Sequence, residues 1–131
     1  MKTNFEHSCA LQGYDAKAIT EALSTLPEAI RGPITAVTKL VVMNPVANME
    51  SETDEKWAPD YDNLNQEKWC SVFDLNKDDN NPSGFRFVGS GYDRTGAGAD
   101  GAGLCFKDDE TREEFVKDHE ELYRQWLKMG K

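Results

Sequence analysis

The chain has 131 residues, of which 38% are hydrophobic and 30% are charged, and it carries a formal net charge of −9. This length fits one domain that can bury a core without metal or disulfide cross-links. The acidic balance opposes direct binding to nucleic acid, because phosphate groups would be repelled, but it is compatible with a protein that imitates nucleic acid and binds a basic partner.

The three cysteines, Cys9, Cys70 and Cys105, have no CxxC spacing. The sequence therefore predicts neither a disulfide framework nor a zinc site, and we interpret these residues as reduced thiols in a cytoplasm. The N-terminal residues lack the apolar run of a signal peptide, and the longest apolar stretch, residues 40–43, is too short to cross a bilayer. We expect a cytoplasmic chain without a membrane segment.

The first part of the chain, residues 1–47, is predicted to be helical. Residues 3–12 and 15–24 have the pattern of two short helices, with Gly13 ending the first and Asp15 as candidate N-cap of the second. The inward-facing residues of the first helix are predicted to be Phe5 and Cys9.

A third helix is predicted after the breaks expected at Leu26-Pro27 and Gly32-Pro33. Four apolar residues recur there at steps of three and four, the pattern of a buried helical stripe. Asn44-Pro45 is expected to end or kink the helix, because proline lacks the backbone donor and clashes with the preceding turn. The predicted buried stripe consists of Ile34, Val37, Leu40 and Val41.

Residues 48–68 are predicted to form a polar loop, in which the acidic run from Glu50 to Glu55 is solvated. The following segment, residues 69–106, is predicted to be a β-meander. Short alternating stretches are separated by an Asn/Asp-rich turn and by a glycine-rich connection, with no helix between them, which favours antiparallel pairing. The predicted strands cover residues 69–74, 85–88 and 102–106.

A C-terminal amphipathic helix is predicted over residues 108–128, with Asp108 or Asp109 as its N-cap and acidic residues in its first turns. Its apolar stripe is expected to pack on one face of the sheet. The stripe consists of Phe115, His119, Leu122 and Trp126, and the sheet face of Trp69, Phe73, Phe85, Phe87, Leu104 and Phe106. The predicted fold class is thus α+β in a single domain of residues 1–131.

Three patterns resemble functional motifs without meeting their requirements. The GxGxxG run of residues 96–101 precedes a strand, whereas a dinucleotide site needs it to open a helix, so we interpret it as a hairpin loop. The calcium-like spacing that begins at Asp74 lacks the glycine and the final glutamate of such a loop, and indicates a hairpin turn. Cys105 and His119 are interpreted as a packed thiol and a core-edge histidine. The sequence therefore predicts no catalytic residue, no metal and no cofactor.

One ordered set of residues runs from the end of the third predicted helix to the last one: Ala47, Asn48, Trp57, Pro59, Asp60, Asn63, Asn65, Lys68, Trp69, Ser83, Gly84, Phe85, Phe87, Leu104, Cys105, Phe106, Lys107, Leu122 and Tyr123. Through these residues the chain resembles a family of small uncharacterised proteins encoded by phages and prophages of gut Bacteroidetes, over about residues 39–127. The resemblance implies a bacterial host cytoplasm, and it supplies no activity and no catalytic residue.

The leading functional hypothesis is a non-enzymatic accessory protein of a phage or mobile element that binds a host or phage macromolecule. Exposed aromatic and polar loop residues are the candidate contacts for a protein partner of unknown identity. These partner-binding residues are predicted to be Trp57, Asp60, Tyr61, Asn63, Asn65 and Tyr92.

The first alternative is a protein that binds or sequesters a nucleotide-like small molecule. Backbone amides of the glycine-rich loop and nearby positive charge would meet a phosphate. The residues of this predicted ligand site are Arg86, Arg94, Gly96, Gly98 and Lys107. Two further alternatives remain open, a component of the virion or its assembly and an enzyme built on Cys105 or on the acidic residues. The sequence leaves the oligomeric state open, because short strands have edges that must be covered or paired.

Overall fold

The computed structural model describes residues 1–53, 55, 57–60, 62–93 and 104–128. Helices and a small antiparallel sheet make up this part of the chain, so the predicted α+β class is confirmed. Within it, no helix has the length and apolar character that crossing a membrane requires. The elements in chain order are α1 (Phe5–Gln12), α2 (Ala16–Ser24), α3 (Glu28–Ala47), β1 (Lys68–Asp74), β2 (Arg86–Asp93) and α4 (Asp109–Leu127).

The first two helices end as predicted and α2 begins at its predicted cap, whereas α1 begins at Phe5 rather than at residue 3. The Asn4 side chain caps α1 by accepting a hydrogen bond from the backbone N–H of His7. Gly13 ends the helix in the left-handed region, with φ of 76°, which glycine adopts without a steric penalty. Asp15 is the N-cap of α2, and its carboxylate accepts from the N–H of Ala18 at 3.1 Å.

The predicted start of the third helix after Pro33 is wrong, and the helix does not end at Asn44-Pro45. α3 starts after Pro27, continues through Pro33 and Pro45, and ends at Ala47. Each internal proline removes one hydrogen bond to the carbonyl four residues earlier. Those carbonyls belong to Ala29 and Val41, which are both exposed residues, so water can take the place of the missing donors.

The predicted buried stripe of this helix is only partly correct. Leu40 is fully buried, but Ile34 is 38% exposed and Val41 is 51% exposed. Apolar residues occur on several sides of α3, so periodicity alone does not fix which side meets the core. The side that packs inward carries Ala36, Leu40, Val42, Met43, Val46 and Ala47.

The predicted three-stranded meander is not confirmed. β1 and β2 form an antiparallel pair with an irregularity between Val72 and Phe73. On its other edge β1 pairs with Phe106 through two backbone hydrogen bonds to Trp69, of 2.9 and 2.8 Å. The third segment therefore lies beside β1 rather than beside β2, as a single bridge. Of the other residues in the predicted strand, Leu104 and Cys105 are not in a strand, and residues 102–103 lie outside the part of the chain that the structure describes.

The second strand is longer than predicted, since residues 89–93 belong to β2 and not to a loop. Strand pairing uses backbone N–H and C=O groups, so the glycines that suggested a connection, Gly89 and Gly91, can pair with β1. The turn before β2 is confirmed. Its centre is Asn81, which is 1% exposed and donates through Nδ2 to the carbonyls of Asp74 and Asn76, at 2.9 and 2.8 Å.

α4 is capped by Asp108, whose carboxylate accepts from the N–H of Thr111 at 2.7 Å. The helix packs on α3 as well as on β1, so the sheet is not its only support. Phe87 is 37% exposed and lies outside the core, contrary to prediction, with the Arg112 guanidinium 4.7 Å from its ring centre. The buried cluster contains Phe5, Cys9, Leu40, Val42, Met43, Ala47, Phe85, Leu104, Phe106, Phe115, Val116 and Tyr123.

Two buried asparagines attach α3 to the segment that precedes α4. The side-chain amides of Asn44 and Asn48 both donate to the carbonyl oxygen of Cys105, at 3.0 and 3.2 Å. Asn48 also accepts from the backbone N–H of Lys107 at 2.9 Å. Because buried backbone groups require partners, these bonds fix the chain around Phe106 against both α3 and β1.

Candidate functional site

A buried lysine fixes the polar loop to the sheet. Lys68 is the first residue of β1 and its side chain is 0% exposed. Its ammonium donates to the carbonyl oxygens of Asn63 and Gln66, at 3.1 and 3.2 Å. A buried ammonium is tolerated only when hydrogen bonds replace its water shell. The lysine-anchored loop, residues 57–68, is therefore attached to β1 from within.

Local side-chain bonds hold the lysine-anchored loop in shape without a helix or strand. The carboxylate of Asp60 accepts from the N–H of Asp62, and Asn63 accepts in the same way from Asn65, at 3.1 and 3.0 Å. These are Asx turns, in which a side chain replaces a backbone acceptor. Gln66 joins the two ends of this stretch, since it accepts from the N–H of Asp60 at 2.6 Å and donates to the carbonyl of Ala58 at 3.0 Å.

Three of the predicted partner-binding residues of this loop are exposed. Asp60, Asn63 and Asn65 are exposed, and between the two asparagines Leu64 is 59% exposed, although the sequence reasoning did not single it out. Trp57 is half-buried.

The other two predicted partner-binding residues are Tyr61 and Tyr92. Tyr61 lies outside the described residues. The backbone of Tyr92 pairs with Trp69, which places it at the same end of the sheet as the loop, and its side chain is outside the described part.

The loop and the segment before it form an acidic surface. Residues 50–67 contain seven carboxylates and one lysine in the sequence, and these are Glu50, Glu52, Asp54, Glu55, Lys56, Asp60, Asp62 and Glu67. Two of the carboxylates contact basic side chains: Glu50 lies 3.4 Å from the ammonium of Lys107, and Glu52 lies 2.7 Å from the ring of His7. Asp60, Asp62 and Glu67 are exposed beside Leu64. This arrangement suits a partner with positive charge.

The structure does not bring together Arg86 and Lys107, two members of the predicted ligand site. Arg86 lies 3.6 Å from Asp74 at the last residue of β1, whereas Lys107 follows the bridge to Trp69 near the first. Five residues of strand separate the two positions, or about 17 Å. The other predicted members, Arg94, Gly96 and Gly98, lie outside the described residues.

A cavity of about 660 Å³ lies between the start of α3, the end of α4 and the turn at Ser83. Sequence spacing does not reveal it, because its walls come from segments far apart in the chain. The cations Arg124 and Lys128 and the carboxylates Glu28 and Glu121 contribute to it. Lys128 also donates to the carbonyl of Leu75 at 3.0 Å, so part of its charge is already engaged.

The cysteines and histidines lack the features of a catalytic pair. All three cysteines are buried, and burial together with nearby Glu6 and Asp15 raises the pKa of the Cys9 thiol. His119 shares a hydrogen bond of 2.9 Å with the Thr3 hydroxyl, and burial lowers the pKa of its imidazole. Among the residues that the structure describes, no three His, Cys, Asp or Glu side chains form a group that could hold a metal ion.

Sequence reasoning missed the two residues that organise this region, Lys68 and Asn48. Both occur in the motif of the resemblance, but a lysine and an asparagine beside a polar loop are usually solvated. The ammonium of Lys68 binds carbonyls five and two residues before it in an irregular loop, and the amide of Asn48 binds the distant carbonyl of Cys105. Comparisons with protein-family models, curated proteins and solved structures found no match for this chain.

Proposed function

We propose that this protein is a non-enzymatic accessory protein of a phage or mobile element, and that it binds a protein partner through the lysine-anchored loop. The observation that supports this most is the wholly buried ammonium of Lys68 beneath an exposed loop. A loop held in one conformation before binding loses less conformational entropy when a partner docks.

The surface chemistry indicates what kind of partner fits. Leu64 supplies an exposed apolar contact, and three exposed acidic residues, Asp60, Asp62 and Glu67, lie within four residues of it in the chain. Interfaces commonly place an apolar anchor inside a polar rim, where rim charge governs association rate and specificity. The proposed partner therefore offers a small apolar pocket bordered by Lys or Arg residues.

Affinity capture from bacterial or phage-infected lysate tests this proposal. The purified wild-type chain and two variants are immobilised separately. The loop variant carries both Leu64→Ser and Glu67→Lys. The control variant, Tyr14→Ser, removes a side chain that is 50% exposed elsewhere on the surface. We expect a protein retained by the wild type and the control but not by the loop variant, and retained less as salt rises. Capture of no protein, or equal capture by the loop variant, would count against the loop as a binding surface.

The cavity between α3 and α4 favours a second candidate function, the binding of a small molecule. Arg124, Lys128 and Gln125 offer donors to an anionic group, while Glu28 and Glu121 disfavour a highly charged phosphate and suit a ligand that also carries a positive group. A thermal-shift screen of nucleotides and amino-acid-like zwitterions tests this, with Arg124→Gln as the matched variant. A ligand should raise the melting temperature of the wild type and not of the variant, and a flat screen rejects this function.

A further inference from the structure

One face of α3 is apolar and exposed, although its sequence pattern is that of a buried stripe. Ile30 is 46% exposed, Ile34 is 38% exposed and Val41 is 51% exposed, with half-buried Val37 between them. Steps of four, three and four residues align these side chains along about 16 Å of helix. We call these four residues the α3 apolar face.

The inward side of α3 carries the core residues Leu40, Met43 and Ala47, of which Leu40 is 0% exposed. From α1, the Gln12 amide donates to the carbonyl of Val42 at 2.7 Å. The α3 apolar face lies on a different side of the helix from these core residues, since the helix turns by about 100° per residue. Asn44, three residues after Val41, continues the same stripe and donates to Cys105, so the stripe is exposed as far as Val41 and becomes buried at Asn44.

Charge distinguishes this face from the rest of the molecule. The chain has 24 acidic residues, yet none of them falls between Glu28 and Glu50. The two cations of that segment already have contacts: Arg31 donates to the carbonyl of Leu26 at 2.8 and 3.1 Å, and the Lys39 ammonium lies 5.7 Å from the ring centre of Phe5. Two copies with net charge −9 repel each other, and the repulsion is weakest where no carboxylates meet.

We propose that the α3 apolar face is the contact surface for a second copy of this chain, packed helix against helix about a twofold axis. In such an isologous dimer the same residues of both copies contact each other, so an apolar helix face without carboxylates of its own can pack against its copy. The exposed apolar area is small beside the roughly 800 Å² per partner of a standard interface, so we expect a weak dimer, with Kd on the order of tens of micromolar.

The dependence of dimer stability on salt concentration distinguishes this apolar contact from an ionic one. Added salt screens the repulsion between the two acidic copies and strengthens apolar association, so the dimer should become more stable as salt rises. The proposed partner binding through the lysine-anchored loop has the opposite dependence, because there opposite charges attract. The two proposals therefore succeed or fail independently.

Sedimentation velocity of the full chain, from low micromolar to near millimolar concentration at low and high salt, tests the dimer. The disrupting variants are Val41→Glu and, separately, Ile34→Glu, which introduce carboxylates into the face at exposed positions. The matched control is Leu64→Glu, which adds the same charge at a side chain that is 59% exposed on the lysine-anchored loop. Circular dichroism and thermal melting establish that each variant is folded, and Val41→Ser replaces any glutamate variant that is not.

A concentration-dependent dimer in the wild type and in Leu64→Glu, with at least a tenfold weaker association in the α3 variants, is the expected result. A wild type that stays monomeric at the highest concentration and salt overturns the proposal. So does a dimer of unchanged strength in the folded α3 variants. A monomeric wild type whose captured partner protein is lost in Val41→Glu assigns the face to another protein and equally rejects the homodimer.

Discussion

The ammonium nitrogen of Lys68 lies 3.1 Å from the carbonyl oxygen of Asn63, in a loop whose described residues before Lys68 (57–60 and 62–67) form neither helix nor strand. The loop thus takes its shape from a donor that belongs to the sheet. This relationship connects the stability of the fold with the geometry of the proposed binding surface, since any change that removes the donor affects both.

Replacing Lys68 with methionine should lower the free energy of unfolding by about 2 kcal/mol, because hydrogen bonds from a charged donor to two carbonyls are lost while the buried volume is nearly kept. Urea denaturation measures this, and amide hydrogen exchange should increase in residues 62–67. Lys117→Met removes a lysine that is exposed on α4 and should change stability by less than about 0.5 kcal/mol. Equal stabilities of the two variants would show that the buried ammonium does not hold the loop.

Replacing Asn48 with aspartate should destabilise the protein by about 3 kcal/mol at neutral pH. The carboxylate still accepts from the N–H of Lys107, but it no longer donates to the carbonyls of Cys105 and Asn44 and places a charge in a site that is 3% exposed. Burial favours the neutral acid, so the loss should diminish as the pH falls below about 5.

The matched control for this change is Asn4→Asp. Asn4 caps α1 and is exposed, and aspartate is an equally good cap at a helix N-terminus. Chemical denaturation of both variants across pH should show the destabilisation only at Asn48. Similar stabilities at neutral pH would contradict the role assigned to the Asn48 amide.

His119 should make stability depend on pH. Burial lowers the pKa of its imidazole below the ordinary value of 6.5, with Asp118 and the bond to Thr3 opposing that shift. The unfolded chain therefore takes up a proton at higher pH than the folded one. Its contribution is fully present above about pH 6.5 and is lost as the pH falls below that value, until the folded imidazole is itself protonated. His119→Gln should flatten the stability curve in this window, and an unchanged slope would refute the assignment.

Replacing Tyr123 with phenylalanine should leave stability unchanged or raise it by up to about 1 kcal/mol. The side chain is 4% exposed, and its hydroxyl has no hydrogen-bond partner among the described residues. Burial raises the pKa of this phenol, which therefore stays protonated at neutral pH. By contrast, Tyr123→Ala should cost about 3 to 4 kcal/mol through the cavity it leaves between Phe73 and Phe115. Thermal melts of both variants check this, and a marked loss in Tyr123→Phe would reveal a partner for the hydroxyl.

Prediction from the sequence was most accurate at helix ends, where the residue that caps or ends the helix lies within one turn of the backbone it affects. Gly13, Asp15 and Asp108 end or cap their helices at the positions predicted for them. The cap of α1, Asn4, was not predicted. Prediction was least accurate on α3, whose apolar residues do not show which side faces inward. The sequence also placed Arg86 and Lys107 in one ligand site, whereas they lie beside opposite ends of β1. Only the strand pairing reveals this separation.

The sequence by itself determined the α+β class, the caps of α2 and α4, the turn around Asn81 and the acidic character of the loop surface. These depend on backbone conformation and charge, which neighbouring residues fix. Tertiary structure alone decided that Lys68 and Asn48 are buried, that the α3 apolar face is exposed, and that Phe106 pairs with β1. The burial of Asn48 and the pairing of Phe106 depend on partners from distant parts of the chain, and Lys68 depends on an irregular loop that turns two nearby carbonyls toward its ammonium. No periodic pattern in the sequence indicates which of these groups will meet.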